Sequence, residues 1–314
     1  MPKSKVVIVG TGMVGMSYAY SLVNQGVVEE LVLIDIDKNR AEGEAMDLNH
    51  GLAFAPRKMH IYAGDYKDTK DADLVVITAG VNQKEGETRI DLLNRNASIM
   101  KSVVKNIMSS GFDGILLVAS NPVDILTYVA KKASNLPANR VIGSGTSLDT
   151  ARLRYEISKK INISVGNIHA YILGEHGDSE FVCWSNAYIG VKPMKDVIES
   201  MKEIEFEDLH KIYMNVKEAA YEIIKRKKAT YYGIGMTLVR ITAAIINNEN
   251  RIIPISVYND GVYDIDKDLY IGLPAVLNHQ GVHHVVNLKL SDTEQEQLKY
   301  SASILKNLLN QMDI

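Results

Sequence analysis

The sequence predicts an α/β protein, a doubly wound parallel sheet in its first half followed by an α+β second half. Three observations predict it. Short apolar runs alternate with longer helical patterns up to Gly145. A segment with three spaced glycines, Gly10-Thr-Gly12-Met-Val-Gly15, joins the first apolar run to the first helical pattern. Past Gly145 the alternation gives way to long helices and paired strand signals. Strands alternating with helices argue for a parallel sheet covered on both faces.

Each element has its own signal. Val6–Val9 is short and apolar and reads as a buried strand. Met13–Gln25 reads as a helix that stops at Gly26, a residue free to take the left-handed turn. Leu31–Ile34 and Leu74–Thr78 are the next strands, the latter followed by Gly80. Thr88–Ser110 is a long helix ending at Gly111. Ile115–Ala119 is a strand broken by Asn121-Pro122. Asp124–Ser134 is a helix, and Val141–Ile142 opens a short strand. In the second half a helix spans Ser147–Lys160 and Ile168–Leu173 is strand-like. Long helices cover Glu203–Arg226 and Thr230–Asn247. Strands at Ile252–Val257 and Leu269–Ile271 flank the turn Asn259-Asp260-Gly261. Ser291-Asp-Thr-Glu294 is a capping box that starts a C-terminal helix toward Gln311. The boundary falls near Gly145, giving residues 1–145 and 146–314 as two units. No Pro/Gly/Ser-rich linker separates them, so they are expected to pack tightly.

Composition excludes several functions. The 314 residues are 46% hydrophobic and 23% charged, ordinary globular values, with net charge -3. Lysines and arginines are scattered among acids, so no nucleic-acid footprint is present. The start MPKSKVVIVG lacks the apolar core and cleavage site of a secretory leader, and Ile115–Ala119 is far too short to span a bilayer. Cys183 is the single cysteine, so no intramolecular disulfide forms. No membrane partner and a cytoplasmic location are expected. His279, His283 and His284 have no carboxylate close in sequence; they are read as surface or interface histidines, and no metal site is expected.

The glycine segment points to a dinucleotide. Gly10 allows the tight turn, Gly12 lets backbone approach a pyrophosphate, and Gly15 lets helix and strand pack closely. The helix start offers unpaired N–H groups to phosphate. Twenty residues past Gly15, at the end of the second strand, Asp35 can accept hydrogen bonds from an adenosine ribose. Its charge repels a 2′-phosphate, and Asp37 adds to that, so NAD is favoured over NADP.

Three polar clusters interrupt apolar context: Asn82–Arg89, Ala119-Ser-Asn121-Pro-Val-Asp124, and Ser147–Arg152 together with Gly174-Glu-His176-Gly-Asp178. The first two follow strands, where ligands of open α/β sheets sit. Asp149 and Arg152 are spaced i, i+3 and share a helix face. Such an arginine can grip a carboxylate in a bidentate fork, and such an aspartate can orient a histidine and stabilise its charged form. His176, in a glycine-flanked loop after a strand, can then donate a proton to a ketone oxygen or accept one from a hydroxyl.

With these motifs, and with Asp47-Leu-Asn-His-Gly51 and Ala229-Thr-Tyr-Tyr-Gly233, nearly the whole chain resembles the lactate/malate dehydrogenase family, and within it the bacterial L-lactate branch. The resemblance implies a Rossmann-type first domain, a catalytic second domain and NAD as cofactor. It implies His176 as acid/base, Asp149 as its partner, Arg152 as the grip on the substrate carboxylate, and Arg89 as a residue that closes over the substrate and polarises its carbonyl. Gln83, Asn121, Asp124 and Thr230 complete the implied substrate contacts. Gly10, Gly12, Val14, Gly15, Asp35, Arg40, Tyr66, Gly80, Val81, Ser102, Ala119, Asn121 and Ser144 are the implied cofactor contacts. Malate dehydrogenases typically carry arginine where this chain has Gln83, to pair with a second carboxylate. The uncharged glutamine therefore points to pyruvate and L-lactate, in the last step of lactic fermentation, over malate or another L-2-hydroxyacid. Glu85 departs from the usual proline of this loop. A redox sensor that binds NAD without chemistry would leave Asp149, Arg152 and His176 without a task.

Arg154 lies about 200° round the helix from Arg152 at about 100° per residue, so it faces away from the substrate. Allosteric bacterial members of the family carry an arginine and a histidine matching Arg154 and His169, which bind fructose 1,6-bisphosphate across a subunit interface. The resemblance thus implies that activator and a homotetramer.

Overall fold

The structure, a computed structural model, describes residues 4–81, 86 and 88–312, and of Arg89 the backbone alone. The first half runs β1 (Lys5–Val9), α1 (Met13–Gln25), β2 (Glu30–Ile34), α2 (Lys38–Gly51), β3 (His60–Ala63), β4 (Leu74–Ile77), α3 (Arg89–Ser109), β5 (Ile115–Val118), α4 (Val123–Ser134) and β6 (Val141–Gly143). The second half opens with α5 (Ser147–Ile161) and four two-residue strands, β7 (Ile168–His169), β8 (Ile172–Leu173), β9 (Phe181–Val182) and β10 (Tyr188–Ile189). It continues with β11 (Lys192–Pro193), α6 (Met194–Ser200), α7 (Phe206–Lys227), α8 (Tyr232–Ile246), β12 (Arg251–Asn259), β13 (Leu269–Asn278), β14 (Gly281–Val285) and α9 (Asp292–Asn310).

The main sheet has nine strands in the order β14-β13-β12-β6-β5-β4-β1-β2-β3. The pairs from β3 through β6 are parallel, and the order reverses between β1 and β4, the doubly wound pattern. The sheet does not stop at Gly145. β12 pairs antiparallel with β6, and β13 and β14 extend it as an antiparallel edge. Central strands β1, β4 and β5 are buried at every position, as continuous apolar runs with helices on both faces must be.

Local chemistry explains the helix limits. Gly26 ends α1 in the left-handed region at φ 60°, its N–H donating to the Leu22 carbonyl. Thr88 and Asp91 form a capping box on α3, and Ser291 and Glu294 one on α9. Two expectations change. The run Ile168–Leu173 is two short strands in different small sheets, β7 pairing with β10 and β8 with β9. Helix α2, strand β3 and edge strand β14 carried too little periodic signal to be read. In α2 only Ala41, Ala45 and Leu48 are buried.

The halves are joined by packing of α1 on α8. Gly235 of α8 lies so close that a Cβ there would be 2.9 Å from the Ser17 backbone. Fully buried Tyr18 and Thr242 place their hydroxyls 2.6 Å apart. Thr242 donates its hydrogen to the Leu238 carbonyl at 2.8 Å, so Tyr18 is the donor in the pair. Thr242→Val removes the acceptor and strands a buried donor. It should lower stability by about 1–3 kcal/mol, read as a lower denaturant midpoint, and adding Tyr18→Phe should restore part of that.

Candidate active site

Parallel strands present their carboxyl ends along one edge, and the turns that leave them build the site. After β1, Gly10 sits at φ 108°, where a Cβ would lie 2.7 Å from the Ala79 nitrogen. Gly15 packs so tightly under this turn that a Cβ would lie 2.0 Å from the Gly10 carbonyl, which accepts the Thr78 hydroxyl at 2.7 Å. Gly12 is different: nothing lies within 4 Å of where its Cβ would be. That open space belongs to a cleft of about 610 Å³, and no side chain caps the start of α1 beside it. An anionic group can thus approach Gly12 and the N–H groups of the helix start directly.

Gly10, Gly12, Asp35, Arg40, Tyr66, Gly80, Val81 and Ser102 line this cleft, as do Ile36, Thr78, Ile99 and Asn106, which sequence reasoning missed. Val14, Gly15, Ala119, Asn121 and Ser144 are not among its lining residues. Asp35 is held rigidly. The Thr11 N–H and hydroxyl donate to its Oδ2 at 2.6 and 2.8 Å, and the Asp37 N–H to Oδ1 at 3.0 Å. Partial burial opposes its charge, but these donors and Arg40 outweigh it and hold the carboxyl below its usual range. Oδ1, with one donor against two on Oδ2, keeps acceptor capacity for a ribose hydroxyl. Asp37, expected as a second repelling charge, accepts the Arg40 N–H at 3.1 Å and so caps α2 as well. The open glycine, the uncapped helix and the fixed carboxylate together fit an adenine dinucleotide.

A buried asparagine links the cleft to the second cluster. Asn96 of α3 accepts the Val81 N–H at 3.0 Å and donates to the Val81 and Asn121 carbonyls at 3.3 and 3.5 Å. A polar residue amid the buried Leu93, Ala97 and Met100 was its sequence signal. Three residues past Asn121, Asp124 occupies the first turn of α4. Expected as a substrate contact, it is instead 2% exposed, with both oxygens engaged by protein. Its Oδ2 accepts the His176 N–H at 2.8 Å and its Oδ1 the Ser256 hydroxyl at 2.5 Å. Burial pushes its carboxyl up to about 6, against those donors. The role left to Asp124 is to hold the His176 loop. The same loop is pinned at Gly174, which exchanges backbone hydrogen bonds with Gly272 of β13 at 3.0 and 2.9 Å. The Glu175 N–H donates to the Ser301 hydroxyl of α9 at 2.6 Å.

The structure places Asp149, Arg152 and His176 together. Asp149 Oδ1 accepts from Arg152 Nη1 at 2.8 Å, and Oδ2 lies 2.7 Å from His176 Nδ1. The Asp149 side chain is 4% exposed, whereas His176 keeps 27%, an opening for a reactant. Burial alone would raise the Asp149 carboxyl; His176 and Arg152 hold it down. Burial alone would also lower the His176 imidazole, but the Asp149 carboxylate reverses this and raises it to about 9. With Nδ1 committed to Asp149, Nε2 is the nitrogen left to exchange a proton with a ligand. Thr230 lies between α7 and α8, partly buried. Arg89 is the first residue of α3. Gln83 and Glu85 lie outside the described residues.

Arg154 points away from this cluster. Its Nε donates to the Ala170 carbonyl at 3.1 Å and its guanidinium lies over the Tyr171 ring at 5.0 Å. His169, next along the chain, is exposed.

Comparison with known proteins bears on the whole chain. Residues 4–143 match the lactate/malate dehydrogenase NAD binding domain, and residues 146–313 the alpha/beta C-terminal domain of the same family. An L-lactate dehydrogenase from a Geobacillus strain is 54% identical over 307 residues, covering 98% of this chain and 96% of that protein. A lactate dehydrogenase from a Medee basin deep-sea metagenome library has a crystal structure with TM-score 0.99 and 74% identity, covering 100% of both chains. The ligand-bound minor L-lactate dehydrogenase of Enterococcus mundtii gives TM-score 0.96 and 50% identity, covering 98% of both.

The electrostatics of the cluster are testable on their own. Asp149→Asn keeps an acceptor for His176 Nδ1 but removes the anion. The imidazole midpoint, followed by NMR, should fall from about 9 by about 1–3 units. An unchanged midpoint would show that another group holds the proton on the ring.

Proposed function

The chain belongs to the lactate/malate dehydrogenase family, and on that premise we propose that it is an NAD-dependent L-lactate dehydrogenase, interconverting pyruvate and L-lactate. The observation that carries the proposal is the single buried carboxylate of Asp149 shared between Arg152 and His176. One residue thereby positions both a carboxylate grip and a proton donor.

The bound dinucleotide supplies the nicotinamide that gives or takes hydride at the substrate carbon. Gly12 and the start of α1 receive the pyrophosphate, and Asp35 receives the adenosine ribose. Arg152 binds the substrate carboxylate, a bidentate task that lysine cannot reproduce. His176 gives its proton to the ketone oxygen in reduction and takes the hydroxyl proton in oxidation. Arg89 and Asn121 polarise and orient the carbonyl, Thr230 borders the pocket, and Gln83 faces the methyl end of pyruvate. Asp124 acts behind these groups by holding the His176 backbone. The two units divide near Gly145.

The protonation sign follows from His176. Reduction needs the charged ring, so kcat/KM for pyruvate stays level through neutral pH and falls as pH rises through about 9 in the free enzyme. Oxidation of lactate needs the neutral ring and rises over the same window. Steady-state assays of the purified protein with pyruvate and oxaloacetate test the assignment, and NADH should far outperform NADPH. Gln83→Arg should move the oxaloacetate-to-pyruvate ratio of kcat/KM by at least about tenfold, the worth of one charge-assisted pair. A variant that keeps the original ratio removes Gln83 as selector.

Assembly and regulation extend the proposal. Met13 and Tyr20 of α1, Met46 of α2, and Tyr232 and Met236 of α8 are large apolar side chains at least 55% exposed, which supports burial in a homotetramer. The single cysteine, Cys183, is buried and free, and no helix among the described residues is long and apolar enough to cross a membrane. Both fit a cytoplasmic enzyme acting in glycolysis and fermentation. Fructose 1,6-bisphosphate is the proposed activator, at Arg154 and His169. Burial and the Arg251 charge pull the Arg154 guanidinium down, against the Tyr171 hydroxyl, and the two arginines lie close enough to share an anion. The bisphosphate should lower the apparent KM for pyruvate through a coupling of about 1–3 kcal/mol, and Arg154→Gln should abolish the effect. Titration at subsaturating pyruvate checks this. Equal activation of both proteins would move the site elsewhere.

A further inference from the structure

One buried acid beside the ion pair has no task in this scheme. Glu180, just ahead of β9, is 6% exposed. Its backbone is fully engaged: the N–H donates to the Gly177 carbonyl at 3.2 Å, and the carbonyl accepts the Tyr213 hydroxyl. Its carboxyl oxygen reaches the reacting groups. That oxygen, a ring nitrogen of His176 and a carboxylate oxygen of Asp149 all lie within 4.8 Å of one another.

The surrounding charges decide which of the two acids ionises. Helix α5 contributes Asp149 and Arg152, and α4 contributes Asp124. The loop carries Glu175, His176 and Asp178, and α7 presents Lys217 and Tyr213. Asp149 holds the two nearest cations in direct hydrogen bonds. Glu180 has no such bond, and two carboxylates this close repel. Glu180 is therefore the acid that keeps its proton. Burial and Asp149 push it up to about 9, against His176, Arg152 and Lys217.

We propose that Glu180 is a positioning residue that extends the pH range over which His176 holds its proton, being neutral at neutral pH and a second anion beside the imidazole only in alkali. In the first alkaline step the proton leaves from Glu180 to solvent, and the new carboxylate holds the remaining proton on the ring. The two groups then titrate as a pair, in two overlapping steps. Without the carboxyl the ring faces one anion and gives up its proton at lower pH. The consequence for turnover rests on the dehydrogenase reading; the titration does not.

The test follows the His176 ring by NMR against pH in the ligand-free full-length protein, its signal assigned by its loss in His176→Asn. Glu180→Gln should lower the His176 midpoint by about one pH unit and turn a broad two-step curve into a single step. Glu180→Asp keeps a carboxyl and should retain part of the alkaline displacement. In parallel, the alkaline limb of kcat/KM for pyruvate should move to lower pH by a similar amount in Glu180→Gln. Superimposable curves for wild type and Glu180→Gln overturn the proposal, as does a lower rate with an unmoved midpoint, which marks a merely structural residue. Should Glu180→Gln not fold, a single-step wild-type curve matched by Glu180→Asp overturns it equally. A moved midpoint in a protein that does not reduce pyruvate upholds the role of Glu180 and removes the dehydrogenase reading instead.

Discussion

Asp149 has two carboxylate oxygens and gives one to each of two cations. Arg152 takes Oδ1 from one helical turn away, and His176 takes Oδ2 from a loop that follows β8. A buried carboxylate left alone would be protonated, and a buried imidazole left alone would be neutral. Each is charged here because the other is. The pairing fixes the ring orientation, leaves Nε2 as the exchangeable nitrogen and holds a guanidinium on the other carboxylate oxygen. Losing Asp149 would leave two partly buried cations without their anion, so both depend on that one carboxylate.

The scaffold ties these groups to the cleft through hydrogen bonds. The parallel strands end along one edge, and the turns after β1, β2 and β4 build the cleft. Asn96 joins the turn after β4 to that after β5. From there Asp124 reaches the His176 backbone, and Gly272 and Ser301 secure the residues just before it. A chain of partly buried hydrogen bonds thus runs from Val81 at the cleft to the backbone of His176. It passes from the strands of the first half to β13 and α9 of the second, which continue the same sheet and its helical cover. His176 is therefore carried by rigid elements, although it sits in a loop.

Much of this was legible in the sequence, and the exceptions have physical causes. Buried parallel strands are continuous apolar runs, so β1, β4 and β5 stood out. Helix α1 was bounded by two glycines with distinct tasks. Helix α2 was invisible because it buries only small residues and one leucine. Ile168–Leu173 looked like one strand because apolar composition does not reveal where pairing partners change. In the site, the i, i+3 spacing of Asp149 and Arg152 spoke for itself, since a helix dictates which side chains meet. The hold of Asp124 on the His176 loop was not legible: sequence shows a carboxylate at a strand end, not which backbone it meets. Asn96, Ser256 and Ser301 act through contacts 15 to 132 residues apart, for which no local pattern exists.

The contact between Gly235 and Ser17 has a consequence for how the molecule tolerates change. Helix α1 begins at the glycine turn of the cleft, and α8 begins just after Thr230. The two helices touch backbone to backbone about one turn from either start. A single added methyl group at residue 235 has nowhere to go and must spread the pair apart. Because both helices are stiff, such spreading would be carried to the glycine turn before α1 and to Thr230 before α8. The molecule thus has a spot where the smallest possible alteration would shift the starts of two helices at once. Drift in sequence there is constrained by mechanics, with no chemistry of its own to protect.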